Sequence, residues 1–349
     1  MVEQAPKYGF PLFTSKRATK QYLKLDRNRV SDLWALLDYV IKLFLKNKNK
    51  KTEEFLLSLH EQAKYFYEAA EKAPVRSQPL LFYYSFLNLS KIYLCLVEGA
   101  IYTDVFMHGI ETKVDASTTI QTAEVNVKSL SGSSSISVAH RLMSSLGDVV
   151  NPASGTKFGI KNLLASCVGI HRTYCETYNE PESFIRLTDP KIYRDGLKFI
   201  FESPLKGCDG IAATQLRTLG YNIIQRGETY VYHEEELLLG YHVNFSDWVI
   251  MADRLRYKRF WSYTDGTDYR LYVSSKPKEK ISSMSVIYDL MFFLGSITRY
   301  HPYFFDSLMN EKEQWLISEF LNTQPRQFLY YLISAIVCKP VLRSRTAGL

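Results

Sequence analysis

The chain has 349 residues, of which 46% are hydrophobic and 14% aromatic, enough apolar material for a large core and too much for a disordered or low-complexity chain. A formal charge of +7 favours acidic partners such as nucleic acid or an anionic protein face, without excluding an ordinary basic protein. Five cysteines, odd in number and without a CxxC pair, argue against a disulfide framework and for a reduced, intracellular and cytoplasmic chain; the N-terminal residues MVEQAPKYGFPLF carry no export signal.

In chain order, residues 1–30 mix Pro, Lys and Arg without periodicity and read as an extended arm. Leu33, Trp34, Leu37, Val40, Ile41 and Phe44 then give one apolar face to a helix from Ser31 to about Lys46, with Ser31 as its cap. KNKNKK at 46–51 is a basic loop, and a second helix runs from a Thr52 cap to about Lys72. Pro79–Glu98 is the central buried helix. Its few polar residues, Ser85, Asn88, Lys91, Cys95 and Glu98, fall on one stripe, which either docks against another polar element or lines a cavity. Its length would suit a membrane span, but Asn88 and Lys91 near its middle argue against one.

Beyond Ala100 the pattern turns strand-like, with strands expected at Ala123–Leu130 and Ser134–His140 and helical spacing again at 157–176. Short strands follow at 185–187, 192–193 and 197–201 around an Arg194-Asp195-Gly196 turn, then a short helix at 212–219 and a strand pair at 221–225 and 229–233. Residues 254–273 interleave Arg254, Arg256, Lys258, Arg259 and Arg270 with Trp261, Tyr263 and other aromatic residues around Asp265-Gly266, a β-hairpin composition. It suits backbone phosphates and stacked bases, and equally an exposed hairpin with an inward aromatic face. Ser283–Tyr300 is a second core helix stopped by Pro302, in which Asp289 is the one acid and a candidate partner for Lys91. Two further helices are expected at 304–320 and 327–341, before a frayed basic tail. The fold class is α+β: a mainly helical core from the N- and C-terminal segments with a β-rich middle insertion, in segments 1–112, 113–245 and 246–349.

Three stretches together resemble the YaaC-like family of largely uncharacterised bacterial proteins: QPLLFYYSFLNLSKIYL at 78–94, His108-Gly109-Ile110, and LMFFLGSITRYHP at 290–302. The resemblance implies a helical core with a β-rich insertion and brings no established reaction. It also suggests a place among mobile or antiviral-defence gene sets.

P-loop, dinucleotide, metalloprotease, nucleophile-elbow and zinc signatures are all missing, so neither metal nor cofactor is expected. The helical core also resembles HEPN-type ribonucleases, whose Arg and His are separated by four to six residues at a helix end. Here only Arg226 and His233 have that spacing, and they sit in strand-like sequence. Arg299 and His301, at the end of a core helix, have suitable chemistry for holding a phosphate and moving a proton, or for a helix cap and a surface histidine. His108 carries the same ambiguity. Packing of the two core helices would bring Asn88, Lys91, His108, Arg299 and His301 to one polar pocket. The leading expectation is a nucleic-acid-associated protein, a sensor or effector of a defence system, using the 254–273 hairpin. The alternatives are a non-catalytic interaction subunit with a protein partner or self-association, and a metal-independent nuclease using Arg299 and His301.

Overall fold

The computed structural model describes residues 2–4, 28–129, 135–187, 191–193, 198–204, 221–226, 229–234, 263–265, 268–272, 281–337 and 341–343. They fall into two compact units, one formed by 1–14 with 181–280 and the other by 15–180 with 281–349. The α+β class with helices at both ends of the chain is observed, and residues 113–180 belong to the same unit as those helices.

The helical unit begins with α1 (Leu33–Leu45), α2 (Lys50–Lys72) and α3 (Gln78–Val97). Both early caps lie one position or more from those expected. Asp32 caps α1 because its carboxylate reaches the amides of Trp34 and Ala35, both at 3.0 Å. Asn49 caps α2 and accepts from the amide of Thr52 at 2.8 Å, so Thr52 is the residue being capped. Pro79 sits in the first turn of α3, where its missing N–H costs nothing. From there α3 is covered nearly all round. Ser85 donates to the carbonyl of Ala63 on α2 at 2.8 Å, which settles what the polar stripe does at that level: it docks. At the far end Glu98 accepts from Ser145 at 2.6 Å. α3 is the one described helix long and apolar enough to cross a membrane, and most of it is buried in this core.

Between the helices at either end lie α4 (Val138–Ser145), α5 (Ile160–Ser166) and α6 (His171–Tyr178), with small sheets beside them. Strands 110–112, 124–127 and 156–159 form one antiparallel sheet with 124–127 central. Strand 105–107 pairs in parallel with 135–137. The strand expected at 134–140 stops at Ser137, because Val138, Ala139, Leu142 and Met143 share a buried face at helical spacing and continue as α4.

The C-terminal helices are α7 (Ser283–Tyr300), α8 (Pro302–Asn310) and α9 (Glu313–Val337). The expected break between two last helices near residue 325 is displaced to 311–312, and Pro325 lies inside α9. α7 crosses α3 at Gly295, where an added Cβ would lie 3.2 Å from both the Pro79 carbonyl and the Tyr83 Cβ, so a larger residue would have to push the helices apart by a few tenths of an ångström. On α9, Phe328 stacks against Phe86 of α3 with centroids 3.9 Å apart. Residues 341–343, where the last helix was expected to end and a frayed tail to begin, pair in parallel with 28–30.

In the other unit, strands 2–4, 191–193, 198–204, 229–234 and 221–226 form an antiparallel sheet in that order. Strands 263–265, 268–272 and 184–187 form a second. The expected hairpin is present where described, with Asp265 opposite Asp268 and both Tyr263 and Arg270 on its strands. Arg254, Arg256, Lys258, Arg259 and Trp261, the turn at 194–196 and the helix expected at 212–219 lie outside the described residues. Arg226 pairs with Thr229, and His233 with Asn222, so that Arg–His pair is separated by four rows of an antiparallel ladder, roughly 13 Å along the strand. It forms no HEPN-type site.

Candidate functional site at the crossing of two core helices

Where α3 and α7 cross, the side chains above Gly295 enclose an open cavity of about 510 Å³. Its wall includes Tyr83 and Tyr84 from α3, His108 from the following loop, and Ser296, Arg299 and His301 from α7 and its end. Of the five residues expected to converge, the structure brings His108, Arg299 and His301 onto this wall. The other two, Asn88 and Lys91, stand outside it, as does Asp289.

His108 is held by its backbone. Its carbonyl accepts from the amide of Ala139, and the next carbonyl, of Gly109, accepts from Lys128. Gly109 has φ +69°, and a Cβ there would run into Ser137, so glycine is required for the chain to turn at this point. The ring then stacks on Tyr83, whose hydroxyl is hydrogen-bonded to Nδ1. Burial lowers the pKa of His108, and the charges of Lys91 and Arg299 lower it further. His108 is therefore neutral at neutral pH, beside two cations.

Arg299 donates from Nη1 to the Tyr84 hydroxyl at 3.0 Å and lies 4.9 Å from the centroid of the Tyr300 ring. It reaches across to α3. His301 ends α7, its amide bonded to the Ile297 carbonyl at 2.9 Å, and its own carbonyl accepts the first amides of α8. Two successive helix ends thus fix the direction of the Arg299-Tyr300-His301 segment, with Pro302 enforcing the break.

The ion pair considered for Lys91 and Asp289 is not formed. Asp289 is fully buried on α7, and neither carboxylate oxygen has a hydrogen-bond partner. Burial, with Asp148 adding repulsion, raises its pKa well above the ordinary value, so it is a neutral acid. Asp148 itself is satisfied by Ser282, through an amide at 2.7 Å and a hydroxyl at 3.0 Å, and by the hydroxyl of Ser285. Lys91 is half-buried and donates to the side-chain Oδ1 of Asn88 at 3.4 Å, while the Asn88 side-chain amide donates to Gln62 of α2 at 3.4 Å. Burial depresses the Lys91 pKa.

Among the described residues no carboxylate pairs with Lys91 or Arg299. Glu111, on the cavity wall, is taken up by Lys128. The arrangement is a pocket with two uncompensated cations nearby, a neutral imidazole and phenol hydroxyls, able to hold an anion and to exchange a proton with it. Tyr83 and Tyr84 do not stand out in the sequence by residue type. The Tyr-Tyr pair within α3 is the available signal, because adjacent helical residues point about 100° apart and one of two must leave the main core face. No group of His, Cys, Asp or Glu among the described residues is arranged to hold a metal ion.

A family model described as YaaC-like protein matches residues 12–336 of this chain. No curated protein and no solved structure matches it.

Proposed function

We propose that this chain, which belongs to the YaaC-like protein family, binds the phosphates of single-stranded nucleic acid at the crossing of α3 and α7. The observation that carries the reading is Arg299, a cation without a carboxylate partner on the wall of an open cavity that His108 also lines, with Lys91, likewise without one, nearby. Uncompensated cations at an accessible cavity attract anions, and a guanidinium matches the geometry of phosphate. Exposed Tyr300 offers a face for a base. The basic hairpin at 254–273 is proposed, on its composition, as a further binding surface. A role as sensor or effector of a bacterial defence system is proposed on the family resemblance alone.

The test is binding of fluorescent single-stranded RNA and DNA over a salt series, followed by a denaturing gel. Arg299→Met is expected to weaken binding about tenfold, and to reduce the salt slope by about 0.7 for each phosphate that is no longer neutralised. Charge reversal at Arg256 and Arg259 gives the hairpin's share. Chelator-resistant shortening of the RNA would add catalysis by His108 and Arg299 to the reading. No binding at low salt would overturn it.

A second reading, docking of a protein partner or a second copy, is favoured by the exposed apolar side chains of Ile101, Val105 and Met107. Concentration-dependent sedimentation that is abolished by Val105→Lys would establish it.

A further inference from the structure

A larger cavity, of about 750 Å³, lies next to the first and shares Tyr300 and His301 with it as a common wall. The two differ in charge. Arg299 and His108 face the smaller cavity, whereas Asp115, Glu311 and Glu313 line the larger one against a single Lys312. Taken together as one groove across the Tyr300–His301 wall, the two cavities are positive at one end and negative at the other.

The negative end has one feature that acidic surfaces lack. Glu313 is 3% exposed, and its Oε1 accepts from the hydroxyl of Tyr178 at 2.9 Å, but its Oε2 is buried with no partner. The neighbouring groups do not supply one. Asp115 is occupied by its own turn, accepting from the amide and hydroxyl of Ser117 at 2.8 and 2.7 Å. Lys312 places its ammonium 4.6 Å from the Tyr178 ring centroid. A buried acceptor oxygen left bare costs free energy that a hydrogen-bond donor would recover. Beside it Tyr303 stands 90% exposed, an aromatic face with no packing role.

A ligand for this groove carries an anion at one end, a hydrogen-bond donor at the other and a flat ring between them. A polyamine has no anionic end and would meet Arg299, while a second phosphate in the larger cavity would meet three carboxylates. We infer that the groove takes one nucleotide, with its phosphate at Arg299 and the amino group of its base at Glu313. This rests on the reading of the smaller cavity as a phosphate site, and it adds a preference among bases.

The discriminating pair is cytidine and uridine monophosphate, which differ along one ring edge: cytosine carries a 4-amino donor beside an acceptor N3, uracil a 4-carbonyl beside an N3–H. Titration calorimetry of the full chain with these two and with ribose 5-phosphate separates the base site from the phosphate site. Cytidine monophosphate is expected to bind about tenfold more tightly than uridine monophosphate, because at the 4-position it sets an N–H donor against Glu313 where uridine sets a carbonyl oxygen, and uridine must shift in the site to offer its N3–H instead. Glu313→Gln should erase or invert that preference, since an amide both donates and accepts. Tyr303→Ala, at an exposed position with no folding role, should weaken both nucleotides several-fold and leave ribose 5-phosphate unchanged. Equal binding of the two nucleotides, with ribose 5-phosphate still dependent on Arg299, would overturn the base site and leave the phosphate site standing. Binding of none of the three would overturn both. Displacement of cytidine monophosphate by spermidine in the Arg299→Met variant would reassign the larger cavity to cationic ligands.

Discussion

The hydroxyl of Tyr83, buried on α3, is hydrogen-bonded to Nδ1 of His108 in the loop beyond that helix. This ties the histidine to the core: burial also raises the pKa of Tyr83, so the phenol stays protonated and available to the imidazole over the whole working pH range. Tyr83→Phe keeps the ring and removes the hydroxyl that bonds His108 and also meets the buried Tyr288 hydroxyl. It is expected to cost about 1 kcal/mol in stability by chemical denaturation and to weaken phosphodiester binding several-fold by releasing the ring. Unchanged stability and binding would show that the backbone anchors at Gly109 and Ala139 are sufficient.

The helices of the core were legible in the sequence because each has an apolar face at helical spacing; α7 begins and ends where Ser282, Ser283 and Pro302 place it. Cap positions were not, since Ser31 stands beside Asp32 and Thr52 lies three residues after Asn49, each able to cap a helix, and only the amide geometry decides between them. Arg299, His301 and His108 could be nominated from residue type and from their place at helix ends. The inferred Lys91–Asp289 pair failed for a reason invisible in one dimension. Asp289 is turned fully into the core, whereas Lys91 stays half-buried with Asn88. Glu313 and the second cavity were not legible because their meaning depends on Tyr178, 135 residues earlier in the chain.

Asp289 makes a stability prediction of definite sign. Its folded pKa lies well above the ordinary 3.8, so below that pH both folded and unfolded states hold the proton and the group contributes nothing to pH dependence. As pH rises past 3.8 the unfolded chain releases the proton and the folded chain keeps it, which lowers stability by about 1.4 kcal/mol per pH unit until the folded pKa is reached. Asp289→Asn removes this loss. The variant is expected to match the parent near pH 4 and to exceed it in Tm at pH 7. Equal Tm at both would mean that the carboxyl is ionised and stabilised in the folded state.

Lys91 is expected to trade stability against binding. Half-buried with a depressed pKa and one long hydrogen bond, its ammonium is poorly solvated, so Lys91→Met should leave stability unchanged or raise it by up to about 1 kcal/mol. The same change removes one of the two charges acting on His108, and phosphodiester affinity should fall several-fold. A large destabilisation in thermal melts would instead identify Lys91 as a structural partner of Asn88.

The pH dependence of binding follows from His108. Its pKa lies below the ordinary 6.5, so the ring is neutral at pH 7 and gains its charge only as the pH falls below that value. Without ligand, the folded state resists a proton that the unfolded state accepts, and stability falls as pH drops below 6.5; His60 and His140, also depressed by burial, act in the same direction. A bound phosphodiester reverses the sign for His108 alone, because a third positive charge then has an anion to face. Glu111, whose pKa its ion pair with Lys128 lowers, does not reverse this trend, and a dinucleoside monophosphate has no titrating phosphate. Affinity for that probe at constant ionic strength should therefore rise on acidification from pH 7 to 5, and His108→Gln should flatten the rise. A profile that is flat in the parent, or equally steep in the variant, would place the ligand's phosphate away from His108.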